Sequence, residues 1–471
     1  MNNYQSTRPE RFSIWSYFFG QSMANSMLSG FLTTYLMLVG LDLGQVAIVM
    51  VLVKLWDAVN DTIFGILFDT IHFKSGHQSL PWLRISMFAI PIATIILFQI
   101  PGAMGSAGKM LWFVLAYILW DASYTLSDIP IYNLVTRMTV NLDERNTVLS
   151  SGRMLALAGT FVTSQMVTFL ISENVGLPFS QAALLVALII LITMVPVSFA
   201  GRERVKTVTT TQKYSLAGMW HYLRQNVYLR RYYIGFIISG VSLTYAAVDL
   251  FVSYYFFGSA LVSSLTLVII AIPMLIFASM MGRILKRVDK FRLFFWGNVG
   301  FVGASVLLYL FGRASLPMYL ALVAVRAIPM AIVFTLNLTF TPDVVEFGTY
   351  TSGVDARGIA FAIQSYAGKL TALAQPLGLF ILAAFHWSPI HASSFAVLAH
   401  QHITQSSVAL QGLWLTATLI PGIGYALALI PYSRYHLNDH DVQLMADVNA
   451  GKLDRATAEA QISRHYGGDR T

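Results

Sequence analysis

Asp57 and Asp61 lie four residues apart in a mostly apolar stretch, KLWDAVNDTIFGILFDT, at residues 54–70. On a helix that spacing puts both carboxylates on one face, with Lys54 one turn earlier. A carboxylate at the centre of a membrane helix costs about 2.5–3.5 kcal/mol on insertion scales. Two neighbouring carboxylates cannot both stay ionised cheaply at low dielectric, so either one holds a proton or a cation sits between them. Both outcomes describe a coupling-ion site, and clustered oxygens suit a hard cation such as Na⁺. The alternative is a structural ion pair with a basic residue on a neighbouring helix. Asp69, at the end of the stretch, can reach water and is expected to hold the adjoining loop.

A second stretch reads WDASYTLSDIPIYNLVTRMT from residue 120. Trp120, Tyr124, Asp128 and Tyr132 recur at i,i+4, with Asp121 and Thr125 beside them. Aromatics at helical spacing are commonly packing. An acid among them shifts the reading, because aromatic faces with a carboxylate that accepts paired hydroxyls suit sugars. A third stretch, RGIAFAIQSYAGKLTALAQPLGLF, puts Gln364, Gly368, Lys369 and then Gln375 on or near one face. A lysine this deep needs a partner. Asp249 and Arg326 lie in two further apolar stretches, at depths that differ by roughly 3 Å at 1.5 Å per residue. Neither can snorkel easily. Both are expected on the cavity side of the C-terminal half, paired or bridged by substrate hydroxyls; a pair that only locks two helices is the alternative.

These residues need membrane helices to position them. The chain is 56% hydrophobic and only 11% charged, with a mean hydropathy of +0.64, whereas soluble domains carry roughly 25% charged residues. A crossing takes about 20 apolar residues. That length gives twelve spans, near 14–39, 46–70, 82–101, 109–138, 148–172, 180–200, 231–257, 262–282, 291–312, 317–340, 357–386 and 406–431. The fold class is therefore an all-α membrane protein of two six-helix bundles, 1–200 and 231–432, joined by a middle loop at 201–230 and followed by a tail at 433–471. A weak internal symmetry, Gly65 and Asp69 before Lys74 against Gly282 before Arg283 and Lys286, fits two related halves.

Arginine and lysine set the orientation. Arg202, Arg204, Lys206, Lys213, Arg224, Arg230 and Arg231 fill the middle loop, and Arg283, Lys286, Arg287, Lys290 and Arg292 cluster after the eighth span. Both termini are expected in the cytoplasm, with the protein multi-pass in the cell membrane. The net charge of +8 is then topological, which argues against nucleic acid. The N-terminal residues lack a signal-peptide pattern, so the first span is expected to be kept. The chain has no cysteine, which removes disulfides, thiolate metal sites and a cysteine nucleophile. In the tail, DRATAEAQISRHY reads as a short amphipathic helix on a solvated cytoplasmic appendage.

With these residues placed, the chain resembles the glycoside–pentoside–hexuronide:cation symporters, the melibiose-permease branch of the major facilitator superfamily. WDAVNDTIFG is similar to that family's second-helix motif. SDIPIYNLVTRMTVNLDERN, followed by Arg153, resembles its fourth helix and the start of the fifth. TPDVVEFGTYTSGVDARGIAFAIQSYAGKL resembles its tenth-to-eleventh-helix segment. The resemblance implies the major facilitator fold. It implies a cation site at Asp57, Asp61 and Thr125. It also implies a sugar site in or near Tyr124, Asp128, Tyr132, Arg153 and Lys369, with Lys369 between the two. Three departures stand out: Gly20-Gln21 where the family has Gly-Asp, a loop after span two without the family's Gly-Lys-x-Arg-Pro run, and Thr136 for a proline. Gln21 is expected to line the substrate cavity and tune specificity.

The expected function is cation-coupled symport of a sugar or glycoside by alternating access, with Na⁺, Li⁺ or H⁺ as the coupling ion, no cofactor, and a monomer in the bilayer. The substrate set is Gln21, Tyr124, Asp128, Tyr132, Arg153, Gln364, Lys369, Asp249 and Arg326. An enzyme is not expected, since HExxH, GxSxG and GxxxxGK[ST] motifs are missing, and the histidines, His386, His391, His400 and His402 among them, are irregularly spaced. A lysolipid or other amphiphile carrier of the same fold is the main competitor, and a sensor that no longer transports is a further one.

Overall fold

The computed structural model describes residues 4–71, 73, 74, 76–205 and 216–463. The side chain of Asp69, the lysines Lys206 and Lys213, and the tail beyond residue 463 lie outside the described residues. The regular structure is all helical, with no strand among the described residues. Among the described residues nine helices are long and apolar enough to cross a membrane, and the broken pair Val227–Ala247 and Asp249–Phe257 makes a tenth if it crosses as one. The other two expected spans also coincide with helices. One is α1 (Arg8–Ser26), which continues through a π segment, Met27–Phe31, into Leu32–Leu38. The other is α2 (Leu43–Thr70). The site described below also uses α3 (Leu80–Leu97), α4 (Ser106–Met138) and α5 (Leu142–Ile171).

Several expected span boundaries shift: the first helix starts at Arg8 rather than 14, and the fifth at Leu142 rather than 148. The third ends at Leu97 rather than 101. The eleventh is interrupted, since Arg357–Ala372 gives way to turns before Leu377–Ala384. Pro376 explains this break: it has no N–H to donate and clashes with the preceding turn.

The chain packs as two units, one of residues 1–210, 250–264 and 379–410, the other of 211–249, 265–378 and 411–471. In the first unit, local chemistry sets the helix ends. Asp42 caps α2 by accepting from the Gln45 amide at 2.9 Å. Asn141 caps α5, accepting from Asp143 and Glu144. Glu203 reaches back to the start of α3 and accepts from the amides of Gln78, Ser79 and Leu80. These bonds satisfy donors that a helix start leaves open.

Glycines let α5 lie close on α1. A Cβ at Gly159 would stand 2.5 Å from the Phe19 carbonyl oxygen, and one at Gly152 would meet the Phe18 ring at 2.5 Å. Small residues at such crossings are how membrane helices gain contact without a hydrophobic drive. Buried Tyr17 on α1 then ties to Ser86 on α3 at 2.8 Å and Ser127 on α4 at 2.7 Å. This network fixes the rotation of α1 and α4, which carry Gln21 and Asp128.

The second unit has an aromatic core around Tyr232, Phe294, Phe340, Tyr432 and Tyr435. The tail belongs to this unit, which corrects the expectation of a solvated appendage. Asp439 accepts from the Lys290 amide at 2.7 Å, and Asn449 donates to the Glu346 carbonyl at 3.0 Å. Asp441 is fully buried and accepts from Ser463. The expected short helix is Arg455–Gln461, and a second one, Asp439–Asn449, precedes it. Docking offsets the ordering cost of these polar segments through long-range bonds that sequence pattern does not show.

Candidate functional site

Helices α2 and α4 bring three carboxylates together. Asp57 lies 3.6 Å from the Lys54 ammonium of its own helix and accepts from the Tyr117 hydroxyl at 3.2 Å. Thr125 on α4 points its hydroxyl at Asp61, at a long 3.4 Å, and at the Asp121 carbonyl at 3.0 Å. Asp121 is buried, and Asp57 and Asp61 both act on it electrostatically. The basic partner of Asp57 is thus Lys54 on the same helix, one turn away, rather than a residue of a neighbouring helix.

Asn60 joins the pieces. It is 1% exposed, and its amide nitrogen donates to Asp121 at 2.7 Å and to Thr125 at 3.0 Å. That leaves its side-chain oxygen buried with no hydrogen-bond partner, and Asp57 Oδ1 is in the same condition. A buried polar atom left unmade is costly, and such atoms repay explanation. Two unpartnered oxygens within a group of three carboxylates and one ammonium can serve as ligands for a hard monovalent cation. Among the described residues no three of His, Cys, Asp or Glu are arranged to hold a metal ion. The donor set here instead mixes carboxylate, amide and hydroxyl oxygens.

Sequence reasoning missed Asn60 and Tyr117 and treated Asp121 as a bystander. A signal for two of them was present: Asn60 falls three residues after Asp57, and Asp121 four before Thr125, so each shares a helical face with an expected ligand.

The expected sugar residues of the first unit form a second group one turn further along α4. The Gln21 amide nitrogen on α1 donates to Asp128 Oδ1 at 3.2 Å. Tyr124 stacks on Trp120, with ring centroids 5.1 Å apart and planes 12° apart. Tyr132 is exposed and packs its ring on Phe18 at 5.4 Å. Arg153, on α5, is exposed and within electrostatic reach of Tyr132. Trp120 itself is a core residue, 2% exposed, and its indole N–H is used on Thr94 at 3.0 Å. It therefore backs the Tyr124 ring and is committed to packing.

In the second unit, Gln364 and Lys369 share the helix Arg357–Ala372. Gln364 accepts from Thr341 at 2.5 Å, and Thr341 is bonded to Tyr233. Asp249 and Arg326 act on each other's charge but make no direct ion pair, which excludes direct pairing but not the bridged arrangement.

The whole chain has known relatives. A family model described as MFS/sugar transport protein matches residues 17–439. The isoprimeverose transporter of Lactiplantibacillus pentosus is 24% identical, over 93% of this chain and 91% of its own length. The inner membrane symporter YicJ of Escherichia coli is 23% identical, over 88% of each. Among solved structures, the nucleoside transporter NupG superposes with a TM-score of 0.62 at 13% identity, covering 91% of this chain and all of that one. At that identity the likeness shows the fold. Helical architecture, fold likeness and a family match over most of the length agree, and the chain belongs to the sugar transport family of the major facilitator superfamily.

Proposed function

We propose that this protein is a secondary active transporter that moves a sugar or glycoside together with a monovalent cation by alternating access. The observation that carries the reading is the cluster of Asp57, Asp61 and Asp121 around Asn60, with two buried oxygens left unpartnered. Three acids against one lysine are hard to sustain in a membrane protein without a cation or protons. Asp57, Asp61, Thr125 and the side-chain oxygen of Asn60 hold the ion, which is Na⁺, Li⁺ or H⁺. Gln21, Tyr124, Asp128, Tyr132, Arg153, Gln364 and Lys369 serve the sugar.

Family membership favours a sugar over a lysolipid, and so does the group of tyrosines beside Asp128. The protein works in the cell membrane as a monomer, with both termini and the arginine-rich middle loop in the cytoplasm, following the lysine and arginine bias. The two six-helix halves are 1–200 and 231–432, with the middle loop at 201–230. Cation and sugar binding are linked, so each raises affinity for the other by the same factor.

Uptake of labelled glycosides into proteoliposomes tests this. Accumulation that follows an imposed Na⁺, Li⁺ or H⁺ gradient is expected, and the effective gradient names the ion. Equal uptake with and without every gradient would remove the coupling claim, and uptake of lysolipid alone would put the amphiphile carrier in its place.

A further inference from the structure

Arg326 lies mid-way along the helix Leu316–Leu336 and is 6% exposed. A guanidinium offers five N–H donors. Here one of them goes to the Ala417 carbonyl at 3.2 Å, and the group is flanked by the rings of Tyr245 at 5.8 Å and Phe301 at 5.7 Å. Asp249 follows the 3₁₀ segment Gly240–Ala247, where the helix breaks at Val248. Its carboxylate accepts a long 3.4 Å bond from Thr266. Broken helices in transporters commonly mark ligand sites.

Arg326 and Asp249 are near enough for each to act on the other's charge, yet they make no direct ion pair. Buried opposite charges normally close on each other, because direct contact is what offsets their desolvation. Here rings stand beside the cation and the acid leans on a threonine. Asp249, with one long bond, is thus within electrostatic reach of a guanidinium with donors to spare, buried Tyr319 is within the same reach of both, and acceptor and donors stand unjoined at one place. A sugar ring matches it, because each hydroxyl both donates and accepts.

We propose that Asp249 and Arg326 form a charge-balanced substrate subsite that takes adjacent hydroxyls of an uncharged sugar, one donating to Asp249 and its neighbour accepting from Arg326, and that this pair makes the protein select uncharged glycosides over hexuronides. A uronate carboxylate would meet Arg326 favourably and Asp249 unfavourably. It gains little from the balanced pair while losing its own hydration. The inference rests on the sugar-transport reading above and narrows its substrate class.

The test uses the full chain in proteoliposomes, with p-nitrophenyl β-D-glucoside against its glucuronide and p-nitrophenyl β-D-galactoside against its galacturonide. The wild type should favour the uncharged member of a pair by about tenfold or more. Asp249→Asn, which leaves Arg326 unbalanced, should shift the ratio toward the uronide by about tenfold, and Arg326→Gln should shift it the other way. The double variant should return to wild-type discrimination at weaker affinity. Asp249→Glu keeps the charge and tests reach, so it should weaken both members of a pair by about the same factor; where a neutralised single variant fails to reach the membrane, an unchanged affinity of Asp249→Glu for the uncharged glycoside overturns the subsite. A ratio that is the same in the wild type and in Asp249→Asn and Arg326→Gln overturns the subsite while leaving the sugar-transport reading intact. If no glycoside of either class is transported in any ion gradient, both fall together.

Discussion

The Gln21 amide nitrogen donates to Asp128 across 107 residues of sequence, at 3.2 Å. Gln21 is 4% exposed, and Asp128 belongs to the group of tyrosines on α4. An amide here can donate to the acid and still accept from a ligand, which a second carboxylate could not do.

Replacing Gln21 with Asp puts a like charge beside Asp128. Gln21→Asp is expected to raise the apparent KM for the transported glycoside by about tenfold or more and to change the order of preferred sugars. Transport competition with a panel of glycosides reads both. An unchanged order with unchanged KM would remove Gln21 from the substrate site.

Asn60 is expected to matter to the ion before it matters to the sugar. Its nitrogen is committed to Asp121 and Thr125, and its oxygen is the unpartnered atom. Asn60→Ala should raise the half-saturating cation concentration by about 10- to 100-fold, with a smaller rise in sugar KM at saturating ion. An equal loss in both, or a shift in sugar KM alone, would contradict a ligand role for this oxygen.

Much of this site is readable in one dimension because it lies along single helices. Asp57 with Asp61, and Tyr124 with Asp128, are i,i+4 pairs, so helical spacing alone sets their shared faces. Contacts between helices are not readable in this way. Gln21 meets Asp128, and Asn60 meets Asp121, only because α1 and α2 are rotated against α4 by packing. The depths of Asp249 and Arg326 follow from counting residues, but depth does not fix rotation, so their separation is set by packing that spacing does not encode. Trp120 shows the opposite error: its spacing fits a binding stripe, while its indole N–H is spent on Thr94 in the core. The docked tail depends on contacts such as Asp439 with Lys290, 149 residues apart, for which apolar periodicity carries no signal.

At the start of α1, Glu10 takes a two-pronged bond from Arg204 at 2.6 and 2.9 Å. Burial pushes this carboxyl up, but Arg204, the Thr7 amide and Arg202 outweigh it and hold it below its ordinary value of 4.5. A depressed folded-state pKa gives stability that is present above the unfolded value and is lost as pH falls through the folded one. Glu10→Gln should therefore lower the thermal inactivation midpoint of purified protein by a few degrees at pH 7, and the gap to wild type should narrow below about pH 4. Inactivation curves across that range check it, and a gap that widened with acid would reverse the assignment.

The central claim is that the paired carboxylates of α2 hold the ion whose gradient drives accumulation. Its most direct measurement compares concentrative uptake with substrate exchange at equal concentrations on both sides, for wild type, Asp57→Asn and Asp61→Asn in the same proteoliposomes. Both variants are expected to lose gradient-driven accumulation by about 100-fold or more, as for removal of a direct ligand, while retaining measurable exchange. Variants that still concentrate the glycoside like wild type would contradict the account.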